Sequence, residues 1–387
     1  MRREYACDGV LAVAALATGC LAWSGHVLLL PASMLFPFLW SMTSHRSAAA
    51  VVSAVYFLAA SRGLPQGVVT YYGSDLWPGL QLCLLASSSF VVVHTVLWER
   101  QRGLRKGWRY LVVCILMATP PFGILGWAHP ITSAGVLFPG WGWMGLAATL
   151  AALAFMTTLA SPVVAIVLSG FWIWSATHWT SPPVPPHWKG ADLTLGASLG
   201  RDASLIRQQQ LATRLKGEIE GAAVVVLPES ALGLWTPTVE RFWTRQLKGS
   251  DLTMIAGAAI VNGFGYDNVL VDVDRKGARI AYRERMPVPG SMWQPWLAWF
   301  HGSGGARAHF FANPVIDIGA ARAAPLICYE QLIIWPVLQS MLYEPHVIVA
   351  VANSWWTVGT SIGDVQRASA QAWARLFGTY LVVSFNT

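Results

Sequence analysis

The sequence predicts a chain in two parts, an N-terminal α-helical membrane bundle followed by an α/β sandwich. Composition is the first reason. Of 387 residues, 55% are hydrophobic, 12% are charged and 21 are Trp, and the mean hydropathy is +0.47. A soluble domain carries roughly 25% charged residues, so disorder, a collagen-like repeat and a purely cytosolic enzyme are all excluded. Charge distribution is the second reason. Residues 1–180 hold nine basic and four acidic residues, whereas the remainder holds 17 and 15. The third is the cluster Trp179-Thr180-Ser181-Pro182-Pro183-Val184-Pro185-Pro186-His187, which can form neither helix nor central strand and reads as a stiff linker over 181–189. The net charge of +7 sits mainly in one loop and the first residues. It is no basic face interleaved with aromatics, so a nucleic-acid partner has no support.

A transmembrane helix needs ~20 mostly apolar residues. Stretches near 8–25, 27–43, 47–61, 77–98, 109–128, 142–160 and 162–177 meet or approach that length, which makes about seven spans, with six as the alternative. Ser161-Pro162 divides one long apolar run into the last two. Arg2-Arg3, His45-Arg46 and the loop from Glu99 to Arg109 carry the positive charge, and such loops stay cytoplasmic. The expected location is the cell inner membrane, multi-pass, with the lipid bilayer as partner. Seven spans put residues 190–387 on the periplasmic side; six put them in the cytoplasm. Leu16-Ala17-Thr18-Gly19-Cys20 loosely resembles a lipoprotein signal, but apolar sequence resumes after Cys20, which favours a retained first helix.

Beyond residue 190 short β-rich runs alternate with helical ones. Strands are expected at 191–198, 222–227, 252–261, 268–273, 278–283, 320–327, 347–352 and 380–385. The fourth and fifth form a hairpin across Asp274-Arg275-Lys276-Gly277. Helices are expected at 203–220, with Leu205, Ile206, Leu211 and Leu215 on its apolar side, and at 364–377. This alternation is an α/β sandwich pattern.

Two residues stand at strand ends. Glu229 follows the apolar run 222–227 by one proline, where it is either a helix cap or a placed carboxylate. Cys328 follows 320–327 and is the one cysteine of this half, the others being Cys7, Cys20, Cys83 and Cys114. A lone thiol is more often structural, but thiol and carboxylate at neighbouring strand ends can act as nucleophile and base. No cofactor or metal site is assigned.

Val226-Leu227-Pro228-Glu229-Ser230-Ala231 resembles the glutamate motif of the carbon–nitrogen hydrolase (nitrilase) superfamily, and Pro325-Leu326-Ile327-Cys328-Tyr329-Glu330 resembles its cysteine motif. Asn353-Ser354-Trp355-Trp356, Ser361-Ile362-Gly363, a helix with Gln366, Ala370 and Arg375, and Ser384-Phe385-Asn386-Thr387 are similar to its later segments. The N-terminal membrane bundle resembles the layout of apolipoprotein N-acyltransferase and of conjugal transfer proteins of Ti-type plasmids. The resemblance implies an αββα nitrilase-like domain over 190–387, expected to be truncated at its C-terminal end relative to the acyltransferase. It also implies an amidase or N-acyltransferase working through a Cys328 thioester with Glu229 as base. The implied partners are a phospholipid or lipoprotein substrate and other conjugal transfer proteins.

The family completes its triad with a lysine. Here the segment reads Tyr282-Arg283-Glu284-Arg285-Met286-Pro287-Val288-Pro289-Gly290-Ser291-Met292 and puts Glu284 at the lysine position. A carboxylate there opposes a developing oxyanion, so the alternative is a catalytically weakened or inactive protein serving as an interaction component. If catalysis survives, Arg285 is the expected cation, carried inward by a one-residue register shift near Pro287.

Overall fold

The structure, a computed structural model, describes residues 2–197, 204–218, 220–297 and 305–387. They form two compact units. The first comprises Met1–Pro182, Leu332–Trp335 and Gly359–Gly378; the second comprises Pro183–Gln331, Pro336–Val358 and Thr379–Thr387.

The first unit contains helices α1 (Arg2–Ala22), α2 (Leu35–Met42), α3 (Arg46–Ala60), α4 (Leu64–Tyr72), α5 (Leu76–Val96), α6 (Leu104–Ala118), the single turn α7 (Ala134–Leu137), α8 (Gly142–Met156) and α9 (Ser161–Thr177). The His45 side chain accepts from the Ala48 amide at 3.0 Å and so satisfies one orphan donor at the start of α3. Pro162 sits in the first turn of α9, where its missing N–H costs no helical bond. Two of the polar groups inside are paired across elements: Trp23 Nε1 donates to Tyr56 Oη at 2.9 Å, and the buried Lys106 ammonium donates to Ser41 O at 2.7 Å.

Among the described residues, α5 is the one helix long and apolar enough to cross a membrane; α3 and α4, bent by 48° at their junction, make a second if taken as one span. Ala6–Ala22, Val27–Met42, Gly142–Met156 and Ser161–Thr177 are apolar but shorter, while α4 falls between two of the expected stretches. Large apolar side chains point outward from these helices, with Val10 and Val13 each 69% exposed, Leu85 65% and Ile166 73%.

The second unit holds two sheets. In the first, β1 (Trp188–Gly190), β2 (Val224–Val226), β3 (Thr253–Asn262), β4 (Gly265–Asp274) and β5 (Gly277–Arg283) lie in chain order. Strands β1 to β3 run parallel, and β3 to β5 are antiparallel. The second sheet has β6 (Ile316–Ile318), β7 (Ala321–Ile327), β8 (Val347–Asn353) and β9 (Tyr380–Asn386), also in order. Only its β6–β7 pair is antiparallel. Alternation along strands sorts side chains into two cores. Val224, Val226, Ile255 and Leu270 of the first sheet meet Ile327, Val349, Val351 and Phe385 of the second. On the opposite face of the first sheet, Val225, Met254 and Val271 pack with α10 (Leu205–Glu218) and α11 (Pro237–Gln246) through Leu211, Leu215, Val239 and Trp243. Parallel neighbours need long crossovers; α12 (Ile334–Met341) lies between β7 and β8, and α13 (Ile362–Phe377) between β8 and β9.

Two local expectations change. The strand expected at 191–198 lies earlier, at Trp188–Gly190. Leu193 instead makes an isolated bridge to Asn386, and the Asp192 carboxylate accepts from the Phe385 amide at 2.8 Å, pulling this segment out of register. Ser198 lies outside the described residues, as do Ala203 and Ile219 of the expected helix. In that helix Leu205 and Ile206 are exposed. Gln208 takes the inward position with Leu211 and Leu215, donating to Leu232 O at 3.0 Å and accepting from Trp243 Nε1 at 2.8 Å.

Candidate active site

Glu229 leaves β2 through a tight turn seated on β3. The Gly257 amide donates to Pro228 O at 3.2 Å, and the Leu232 amide donates to Gly257 O at 3.0 Å. A Cβ on Gly257 would lie 2.5 Å from both Glu229 Cα and Ser230 N, so only glycine lets the turn sit this close. Glu229 does not cap a helix. The next helix, α11, is capped by Thr236, whose Oγ1 accepts from the Val239 amide at 3.3 Å. The Glu229 carboxylate turns into the protein, where Oε1 accepts from Asn268 Nδ2 at 2.7 Å and Oε2 from the Asn353 amide at 2.9 Å. It also accepts a hydrogen bond from the Cys328 side chain.

Cys328 ends β7 with a left-handed φ of 48°. Such backbone is strained for any residue with a Cβ and persists only when its surroundings fix it. Two side chains fix this turn. Glu330 Oε2 accepts from the Ile327 amide at 2.8 Å, and Gln331 Nε2 donates to Val351 O at 2.9 Å. Glu330 also gathers the other wall: Tyr282 Oη donates to it at 2.8 Å and the Arg285 amide at 2.6 Å.

The structure corrects the expectation for Arg285. Its guanidinium is fully buried, donating from Nε to Tyr282 Oη at 2.9 Å, from Nη1 to Pro336 O at 2.9 Å and from Nη2 to Ser340 Oγ at 3.1 Å. The residue that meets Glu229 is Glu284, whose Oε2 accepts from the same Asn268 Nδ2 at 3.0 Å. The cause is a strand irregularity earlier than the one expected near Pro287. Val271 pairs with Ile280 and Leu270 with Tyr282, leaving Ala281 as a bulge. One extra residue reverses the parity of everything after it, which puts Tyr282 and Glu284 on the face of Leu270 and Asn268. Of the three residues singled out for catalysis, Cys328 and Glu229 come together and Arg285 does not join them. Asn268 and Gly257 were not foreseen; a polar residue opening the apolar run 269–271 was the available signal for Asn268.

Three buried carboxyls share this small volume. Burial, with help from nearby Glu330, pushes Glu229 up to about 7 against its three hydrogen bonds. Burial and the neighbouring Glu229 and Glu330 hold Glu284 well above the ordinary carboxylate range. Burial also raises Glu330, opposed first by Arg285. Raised carboxyls beside a thiol suit proton transfer near neutral pH. Among the described residues no three His, Cys, Asp or Glu side chains form a metal-holding group.

Residues 58–375 match the family described as carbon–nitrogen hydrolase. The chain is 58% identical to a probable conjugal transfer protein TraB of Sinorhizobium fredii over 100% of both chains. It is 54% identical to conjugal transfer protein TraB of Agrobacterium fabrum, over 98% of this chain and 92% of that one. An amidase of the nitrilase superfamily from Nesterenkonia overlays 53% of this chain and 78% of its own with a TM-score of 0.38 and 11% identity. With a thiol and a carboxylate at neighbouring strand ends of a two-sheet α/β unit, and the family match running from residue 58 to residue 375, the chain belongs to the carbon–nitrogen hydrolase family.

Proposed function

We propose that the protein is a membrane-embedded thiol enzyme, an amidase or N-acyltransferase, serving plasmid conjugal transfer. The observation that carries the chemistry is the hydrogen bond between Cys328 and Glu229 at a strained strand end. Glu229 takes the Sγ proton as the thiolate attacks an acyl carbonyl. Collapse of the tetrahedral adduct expels the amine or alcohol, which leaves with the proton from Glu229. Water or an amine then gives a proton to Glu229 and attacks the Cys328 thioester; the C–S bond breaks, the acyl group leaves on the new nucleophile, and the proton returns to Sγ. The outward apolar side chains of the helical unit support a bilayer as its surroundings and a phospholipid or lipoprotein as the acyl source. The inner membrane, with about seven spans and the α/β unit periplasmic, remains the proposed arrangement. The transfer role is drawn from the names of the Sinorhizobium and Agrobacterium relatives.

A second reading, an inactive fold kept as an interaction component, is favoured by one observation: Glu284, a carboxyl, sits beside Glu229. Labelling of native membranes with a thiol-directed electrophile separates the two. Strong labelling that disappears in Cys328→Ala and slows in Glu229→Gln supports the enzyme. Equal labelling of wild type and Cys328→Ala makes the thiol structural.

A further inference from the structure

Glu284 is fully buried, and its two oxygens are in different situations. Oε2 accepts from Asn268 Nδ2 at 3.0 Å. Oε1 has no partner among the described residues. Both hydrogens of the Asn268 amide are spent, one on Glu284 and one on Glu229, so neither cancels a second negative charge. The groups facing Glu284 are Asn268 from β4, Glu229 from the turn after β2 and Glu330 from the turn after β7. The His309 amide donates to its backbone oxygen at 3.2 Å. The flanking cations are engaged elsewhere: Arg283 and Arg307 on Asp267 with the His309 ring, and Arg285 on Tyr282, Pro336 and Ser340. Two anionic carboxylates a single amide apart, without a cation between them, are costly in a dry interior. One proton is therefore retained, and the carboxyl oxygen without a hydrogen-bond partner among the described residues is the place for it.

We propose that Glu284 is a neutral catalytic acid, keeping its proton on Oε1 and donating a hydrogen bond to the carbonyl oxygen of the acyl group attacked by Cys328. The inference rests on the thiol chemistry above and deepens it. As the Sγ–C bond forms, the carbonyl π pair moves onto oxygen, and the Glu284 O–H stabilises that charge without giving up its proton. Collapse restores the carbonyl, and the leaving group departs with the proton that Glu229 took from Sγ. A buried carboxylic acid held neutral serves as an oxyanion donor where a cation would otherwise be needed.

Two reagents on the full chain, in membranes or detergent, test this. Iodoacetamide alkylates Cys328 at a saturated carbon and develops no oxyanion; p-nitrophenyl acetate acylates it through one. Label in Cys328→Ala gives the background for both. Glu284→Ala should lower the ratio of acylation to alkylation by about a hundredfold to a thousandfold, the usual effect of losing one oxyanion donor, because any effect on Glu229 as base enters both reactions and cancels. Glu284→Gln keeps a neutral donor and the shape, and should retain most of the acylation. In wild type the ratio of acylation to alkylation should fall as alkaline pH ionises Glu284, whereas in Glu284→Gln it should be flat. An unchanged ratio in Glu284→Ala overturns the role of Glu284 alone, as does an alkaline fall that persists in Glu284→Gln, which decides the matter even where the alanine variant does not fold. Wild-type Cys328 that takes neither reagent overturns the thiol enzyme itself and the donor with it.

Discussion

Glu229 and Glu284 hang from one amide: Asn268 Nδ2 lies 2.7 Å from an oxygen of the first and 3.0 Å from an oxygen of the second. Their titrations therefore belong to the pair, and a change at either residue is felt at the other. The pair also converts a strand irregularity into chemistry, because the bulge at Ala281 decides which of Glu284 and Arg283 lies opposite Asn268.

Thiol labelling should follow the Glu229 proton. Burial pushes this carboxyl up to about 7, and only its ionised form accepts a proton, so labelling should rise as pH increases through that range. Glu229→Gln should remove the step near neutral pH and leave only the rise of the thiol's own ionisation. A rate–pH curve unchanged by Glu229→Gln would show that Glu229 is not the base.

Stability should show the opposite trend. A carboxyl whose folded pKa exceeds its unfolded value binds its proton more tightly when folded. The stability this gives is whole below the ordinary carboxylate range and is lost as pH rises through the folded value. Burial and its acidic neighbours raise Glu284, so Glu284→Gln should raise Tm at pH 8 and change it little at pH 4. The size is roughly 2–4 °C for each kcal/mol of penalty relieved. Thermal unfolding at the two pH values checks it.

Gly257→Ala should damage the site from behind. Its Cβ would meet backbone atoms of Glu229, Ser230 and Pro228 within 2.6 Å, and backbone yields less readily than a side chain. A loss of about 1–3 kcal/mol, typical of overpacking, should accompany slower Cys328 labelling in the protein that folds.

Arg285→Ala should act on folding. The variant leaves the buried Tyr282 hydroxyl without the Arg285 donor and Glu330 without its nearby cation, and breaking such a buried group costs about 3–5 kcal/mol. Arg285→Lys should rescue little, because an ammonium cannot replace the planar fork of donors. Folded yield and Tm report this; a stable Arg285→Ala with reduced acylation alone would return Arg285 to the chemistry.

Reporter fusions at Gly103 and Gly190 test the membrane arrangement. Seven spans place the first in the cytoplasm and the second in the periplasm. Both on one side would favour the even count.

The sheets and the two strand-end residues were legible because each signal is local. A buried strand such as Val224–Val226 or Val347–Asn353 is an unbroken apolar run, and a motif residue is its own neighbour in sequence. The short strand Ile316–Ile318 and helix α11 carried too few periodic residues to stand out. The orientation of Glu284 and Arg285 was not legible either, since it depends on one unpaired residue at Ala281, and register is settled by the partner strand. Gln208 shows the same limit: a polar residue takes an inward helical position because Trp243 and Leu232, distant in sequence, satisfy it.

Helix α13 follows β8 and precedes β9, yet its residues belong to the helical unit, where a Cβ on Gly135 would strike Ala372 O and the Arg375 guanidinium lies 4.0 Å from the centre of the Trp179 ring. During synthesis domains ordinarily mature from the N-terminus onward. Here the first unit cannot close its own packing until the ribosome has passed residue 378. The N-terminal half thus waits for almost the whole chain, only β9 of the other unit being made later, and a nonsense codon anywhere before α13 would strand an unfinished helical bundle along with a broken sheet.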